Sequence, residues 1–217
     1  MGKIKFDKYQ KIIFDEFSQN QDLREKFYFT GGTALSVFYL GHRISEDMDF
    51  FAEKNFSNDP ILFFVENLAQ KYGLRQDFTQ IEQTRMFNLA KNGYKVAKID
   101  FNYYPFRRLK ESKIVNGVEV DNIKDIAINK LISINQRADV KDFVDLYFLR
   151  DTLTIWELME GVKRKFGFEM DPVLIASNFL KVEEFDFLPR MLIPLSVSDL
   201  QDYFKKETQE LAQTFTK

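Results

Sequence analysis

The sequence predicts an α+β fold: a small mixed sheet flanked by helices, followed by a C-terminal helical region. Three observations predict it. Short aromatic and alternating runs, punctuated by glycine, recur between residues 27 and 120. Two Asn-Gly pairs, Asn92-Gly93 and Asn116-Gly117, each separate two strand-like runs, and this is the strongest short-range hairpin signal. From Asn122 onward the apolar spacing becomes helical. Hairpins make antiparallel neighbours, so the sheet should be mixed rather than doubly wound.

Taken in order, residues 7–18 read as a helix, because Tyr9, Ile12, Ile13 and Phe17 recur at helical spacing. Asp22 to Lys26 adds a short turn. Phe27 to Thr30 is a short strand that ends at Gly31-Gly32. Thr33 to Leu40 reads as a helix with Gly41 as its stop. Arg43 to Glu46 is polar loop, and Asp47 to Phe51 is a second short strand. Ser57-Asn58-Asp59-Pro60 opens a helix that runs to about Lys71, with Pro60 suited to the first turn. Residues 84–91 and 94–104 form the long hairpin, and 113–115 with 118–120 a smaller one. Helices follow over about 122–135 and 140–150, the second capped by Asp139. The rest to residue 217 is mainly helical, with breaks near Asp171-Pro172, Pro189 and Pro194. The expected organisation is an α/β core over 1–120 and a mainly helical region over 121–217.

Composition narrows the chemistry. With 217 residues, 45% hydrophobic and 29% charged, the chain can bury a full core as one large domain or two small ones. Most of its 24 phenylalanines should be core. There is no cysteine, which excludes disulfides and thiolate metal sites and fits a reducing compartment. The single histidine, His42, argues against a His-rich zinc site. Any metal must then be held by carboxylates, which points to magnesium or manganese. A net charge of -2 advertises no global nucleic-acid field. The first seven residues lack a signal-peptide pattern, and no apolar run approaches the ~20 residues of a membrane span. The expected location is the cytoplasm, with no membrane partner.

Several residues carry candidate chemistry. Gly31 and Gly32, between a strand and a helix, allow a tight turn and close approach of a phosphate to free N–H groups. On a strand, Asp47 and Asp49 point to one face. Two neighbouring carboxylates repel unless a cation sits between them, so beside a Gly-Gly turn they suggest a metal–triphosphate site. The apolar flanks Met48, Phe50 and Phe51 argue for a packed strand over an exposed loop. Arg43 could neutralise phosphate oxygens in bidentate fashion. Asp100, in mid-strand against its propensity, is the candidate third carboxylate; the alternative is a polar outer face shared with Lys98 and Asn102. Lys130 falls inside the apolar stripe of its helix, so it either snorkels out or points at an anion. Asp142 and Asp145, at i and i+3, share one face of the next helix; Asp145 could orient Lys130 or hold a ribose or base, and Asp142 could equally serve the helix dipole.

Together, Gly31-Gly32-Thr33-Ala34-Leu35, Tyr39-Leu40-Gly41-His42-Arg43-x-Ser45-x-Asp47-x-Asp49-Phe50, Asn129-Lys130-Leu131 and Lys141-Asp142-x-x-Asp145-Leu146 resemble the AbiEii/AbiGii type IV toxin nucleotidyltransferases, within the DNA polymerase β-like superfamily. The resemblance covers about residues 27–150. It implies a polymerase β-like core and a helical region that completes the active-site cleft. It further implies that Gly31, Gly32 and Thr33 hold the triphosphate, with Arg43 and Ser45 beside them. Asp47 and Asp49 would ligate magnesium or manganese, with Asp100 placed by strand logic as a third ligand. Lys130 would contact phosphate, and Asp142 or Asp145 would complete the site. The implied reaction transfers a nucleoside monophosphate from a nucleoside triphosphate to an acceptor hydroxyl and releases pyrophosphate, in a toxin restrained by an antitoxin.

The acceptor is the open choice. Lys91, Lys95, Lys98, Arg107, Arg108, Lys110 and Lys113 crowd one stretch against Asp100 and Glu111, interleaved with Tyr94, Tyr103, Tyr104 and Phe106. That pattern suits a single-stranded RNA end such as that of tRNA, although lysines also protect hairpin edges. A protein hydroxyl is the second candidate acceptor, and an inactive nucleotide-binding module is the third reading. A kinase is disfavoured, because the P-loop and catalytic-loop motifs are absent.

Overall fold

A computed structural model describes residues 5–213; the readings of residues 1–4 and 214–217 lie outside them. The chain divides into two compact units. The first holds residues up to Gly41, 45–107 and 111–122; the second holds 42–44, 108–110 and 123 onward.

The first unit is built on a seven-stranded mixed sheet, as expected. Its strands are β1 (Tyr28–Thr30), β2 (Asp47–Ala52), β3 (Arg75–Ile81), β4 (Thr84–Lys91), β5 (Tyr94–Tyr103), β6 (Lys113–Val115) and β7 (Val118–Val120), in the order β3-β4-β5-β2-β1-β7-β6. β2 pairs parallel with β5 and antiparallel with β1, while β4 pairs antiparallel with β5. Both Asn-Gly turns form as read. Asn92 and Gly93, like Asn116 and Gly117, lie at positive φ, as the tight hairpin turn requires. One strand was not anticipated: β3 joins β4 through Glu82-Gln83, with Glu82 itself at φ 48.

Helix α1 (Lys8–Gln19) starts at a capping box, in which the Asp7 side chain accepts from the Gln10 amide and the Gln10 side chain accepts from the Asp7 amide. Its buried face presents Ile13, Phe14 and Phe17. Phe17 stacks on Phe50 of β2 at 4.1 Å between ring centroids, and Phe50 stacks on Phe101 of β5 at 5.3 Å. These rings cement one face of the sheet, each worth roughly 1.5–3 kcal/mol on burial. The short α2 (Gln21–Arg24) leads into β1. The expected helix after Gly31-Gly32 begins earlier, as α3 (Gly31–Leu35), and widens into a π-helical turn over Ser36–Leu40. Gly41 closes that turn, its amide donating to the Ser36 carbonyl. α4 (Asp59–Tyr72) carries Pro60 in its first turn and ends at Gly73 in the left-handed conformation.

The second unit is helical: α5 (Ile123–Gln136), α6 (Val140–Leu149), α7 (Ile155–Phe166), α8 (Pro172–Leu180) and α9 (Val197–Gln213). Asp139 caps α6 as read, through its side chain and the Lys141 amide. The break expected near Asp171-Pro172 is where α8 opens, with Pro172 in its first turn and Asp171 as its cap. Phe143, Phe179 and Phe204 form the aromatic centre of this unit, all fully buried. Among the described residues no helix is long and apolar enough to cross a membrane.

A buried ion pair ties the second unit together. Lys165 of α7 reaches Asp125 of α5 at 2.8 Å, and both side chains are fully buried. The same carboxylate accepts from the backbone amides of Leu109 and Lys110, which pins segment 108–110 to α5. Removing the carboxylate strands a buried ammonium and two amides. Asp125→Ala should therefore cost about 3–5 kcal/mol, and Lys165→Met should cost less, because Asp125 keeps its two amide donors. Urea denaturation of the full chain measures both; equal losses would contradict this account.

Candidate active site

In the first unit the sheet register brings three carboxylates together. Along β2, Met48, Phe50 and Ala52 are buried on the core face, and Asp47, Asp49 and Phe51 alternate onto the other. The parallel partner β5 sets Asp100 opposite Asp49 and Lys98 opposite Asp47. Neighbours in register share a face, so Asp47, Asp49, Asp100 and Lys98 form a square of side chains. Asp100 does not lie on a solvated outer face: it is only 7% exposed. The Lys98 ammonium sits 2.5 Å from Asp100 Oδ2.

The Gly-Gly turn closes against the same square. Gly31 has φ 77, and a Cβ built there would collide with the Asp49 carboxylate. Only glycine therefore lets the backbone come this close to Asp49. Gly32 and Thr33 are buried, and the Thr33 hydroxyl donates to the Asp47 carbonyl at 2.5 Å. This bond ties α3 to the first residue of β2. Ser45 sits just before β2, its carbonyl accepting from the Gln10 side chain at 2.6 Å.

The electrostatics of the square are unbalanced. Burial pushes the Asp100 carboxyl above its usual range, and the charge of Asp47 adds to this, although Lys98 opposes both. Burial alone would lower the Lys98 ammonium, but its bond to Asp100 and the charges of Asp100, Asp47 and Asp49 hold it raised. Asp100 Oδ1 is buried with no hydrogen-bond partner, a costly state that a cation would relieve. Three carboxylates, one of them with an orphaned oxygen, are the donor chemistry of a hard cation such as magnesium. Among the described residues no group of three or more His, Cys, Asp or Glu stands already arranged around one metal position, and Lys98 supplies the positive charge beside Asp100 instead.

The second unit contains a separate knot of charge. Lys130 does not snorkel: it is 9% exposed, and its ammonium lies 2.7 Å from both Asp142 and Asp145. Arg43 grips Asp145 in bidentate fashion, Nε at 2.7 Å and Nη2 at 2.9 Å. His42 places Nε2 2.7 Å from Asp145 Oδ1, so it belongs to this network. Arg137 completes it from Nε to Asp142 at 3.0 Å. Burial would raise the Asp145 carboxyl, but the charges of Lys130 and Arg43 and the bonds from His42 and Arg43 hold it well below its usual range. Arg43 thus has its guanidinium engaged by Asp145, with Nη1 donating to the Ile44 carbonyl.

Lys98, Arg137 and the pairing role of His42 were not anticipated. The sequence sets Lys98 on the Asp100 face but does not show their ion pair, and Arg137 and His42 have no local signal. The basic aromatic stretch is partly consumed internally, for Lys98 binds Asp100 and Lys91 donates to the Tyr72 carbonyl. Tyr94 remains 78% exposed, and Arg107 is exposed.

Comparison with known proteins gives this arrangement a family. A family model described as "Nucleotidyl transferase AbiEii toxin, Type IV TA system" matches residues 13–213. An uncharacterised protein of Aquifex aeolicus (strain VF5) is 31% identical over 188 residues, covering 85% of this chain and 87% of that relative. Among solved structures, JHP933 from Helicobacter pylori superposes with a TM-score of 0.58 at 19% identity, over 96% of this chain and 90% of its own. MenT4, a nucleotidyltransferase toxin from Mycobacterium tuberculosis H37Rv, superposes with a TM-score of 0.61 at 16% identity, over 94% of this chain and 82% of its own. At these identities the structural likeness speaks for the fold, which is that of the polymerase β-like nucleotidyltransferases expected from the sequence. The family match covers nearly the whole chain, and the chain therefore belongs to the AbiEii family of nucleotidyltransferase toxins.

Proposed function

We propose that this enzyme uses a divalent cation to move a nucleoside monophosphate from a nucleoside triphosphate to an RNA hydroxyl, at a tRNA-like 3′ end, as the toxin of a toxin–antitoxin or abortive-infection system. The observation that carries the reading is Asp49 in register with Asp100, with Asp47 on the same face and Gly31 closed against Asp49. The exposed Tyr94 and Arg107 favour RNA over a protein acceptor.

In this reading Asp47, Asp49 and Asp100 hold magnesium or manganese, which when bound neutralises triphosphate charge and acidifies the attacking hydroxyl. The amides at Gly31 and Gly32 face the triphosphate, and Thr33 keeps Asp47 in place through its carbonyl. Asp100, raised by burial, accepts the proton of the acceptor hydroxyl. The hydroxyl oxygen forms a bond to the α-phosphorus, the bond to the β-phosphate oxygen breaks, and pyrophosphate leaves with that electron pair. Lys98 then remains as the cation next to Asp100. In the second unit Lys130 is the proposed phosphate contact, and Arg43, Asp142 and Asp145 are positioning residues that hold it.

The test is label transfer: purified protein, each α-labelled nucleoside triphosphate in turn, magnesium and total RNA. Label should appear on small RNA, disappear when the metal is chelated, and fall about 100-fold or more in Asp49→Ala. Label that survives RNase on protein would remove the RNA acceptor. No label with any nucleotide from folded protein would remove the reaction.

Asp145 yields a separate prediction. Its folded pKa is depressed, so its contribution to stability is present above the unfolded value of about 3.9 and is lost as pH falls through the folded value. Asp145→Asn leaves Lys130 and Arg43 undercompensated. It should cost about 3–5 kcal/mol near neutral pH and flatten the loss of stability below about pH 4. Denaturant melts across pH measure both; an unchanged acid slope would argue against this role.

A further inference from the structure

The second unit carries a cavity of about 410 Å³ that the proposed chemistry does not use. Ile128 of α5, with Leu153 and Leu158, forms its apolar floor, and Trp156 of α7 is 45% exposed at its wall. Lys110 and Arg164, both exposed, stand at the rim. Gly161 sets the shape: a Cβ there would collide with the Ile128 side chain, so α5 and α7 close together beneath the cavity.

The lining carries three cations, Lys110, Lys124 and Arg164, against two carboxylates, Glu157 and Glu160, so the opening keeps a positive excess. Glu157 is committed to the Thr154 cap at the start of α7, and the charge of Lys124 also acts on it. Glu160 acts on Lys163, which is itself paired with Glu169 at 2.6 Å. Lys165 is spent on Asp125. Lys110 and Arg164 enter no ion pair among the described residues, so the rim presents two uncommitted cations beside an exposed indole. A flat apolar ring attached to phosphate is the ligand that satisfies both features. An acidic peptide would use the cations but leave the indole and the apolar floor poorly filled.

We propose that this cavity is a subsite for single-stranded RNA, in which one base stacks on Trp156 and the flanking phosphates meet Lys110 and Arg164. The idea rests on the reading of RNA as the acceptor and adds where part of that acceptor is held. Stacking on an aromatic ring tolerates any base, so the subsite contributes affinity without sequence choice.

Trp156 is the single tryptophan of the chain, so tryptophan emission, excited selectively over the nine tyrosines, reports on this cavity. A short mixed-sequence single-stranded oligoribonucleotide, titrated into the full chain without triphosphate, should quench it saturably. Arg164→Glu should weaken the midpoint about tenfold and reduce the salt slope by about 0.7, the share of one phosphate that the variant no longer neutralises. Trp156→Ala, followed by anisotropy of labelled RNA, should also weaken binding about tenfold. No saturable quench, or the same midpoint in Arg164→Glu, overturns the proposal. So does a uridine monophosphate that binds as tightly as the oligoribonucleotide. Asp49→Ala keeps the quench while losing label transfer, so the two ideas fail separately: transfer without quench leaves the reaction and removes this subsite, and quench without transfer does the reverse.

Discussion

The parallel pairing of β2 with β5 sets Asp49 against Asp100 and Asp47 against Lys98, and much of the first unit is arranged to hold that register. A slip by one residue would turn Asp47 and Asp49 into the core and Met48 and Phe50 out of it. The aromatic stack Phe17–Phe50–Phe101 forbids this, because it locks β2 and β5 at the same level from the opposite face. The capping box of α1 and the bond from Gln10 to the Ser45 carbonyl fix where β2 begins. The hydrophobic face thus supplies the energy that keeps a repulsive polar face in order.

That polar face carries electrostatic strain. Burial and Asp47 raise the Asp100 carboxyl, and Lys98 only partly offsets them. The knot around Asp145 is the opposite case: two carboxylates meet Lys130, Arg43 and Arg137, and Asp145 is held firmly ionised. The contrast suits a division of labour. In the proposed reading the compensated network fixes geometry, whereas the uncompensated one keeps affinity for an incoming cation.

Much of this was legible in the sequence, for reasons that can be named. Gly31, the Asp47/Asp49 alternation and the Asn-Gly turns are local signals, each set by backbone geometry within a few residues. β3 left no such mark. Its residues are exposed or half-buried throughout, and its turn uses Glu82-Gln83 where glycine or asparagine would have announced it. Pairing with β4 alone makes it a strand, which is tertiary information. Arg43 shows the same limit from another side. Sequence proximity to Asp47 suggests a phosphate ligand, yet its guanidinium meets Asp145, 102 positions away. A long polar side chain has many partners within reach, and only the fold chooses among them.

The Trp156 cavity follows from the same accounting of committed charge. On α7, Glu157 serves a cap, Lys163 a surface pair and Lys165 a buried one. Each has a structural reason to be present. Arg164 contributes no ion pair among the described residues, and the Trp156 indole, though it packs over part of its surface, leaves nearly half of it in water beside apolar side chains. A helix that needed only to pack could place a smaller apolar residue at 156 and a small polar one at 164. Retaining a large ring and a cation side by side at an open cavity is explained by a ligand that needs both, and a stacked, phosphate-bearing base is the simplest that does.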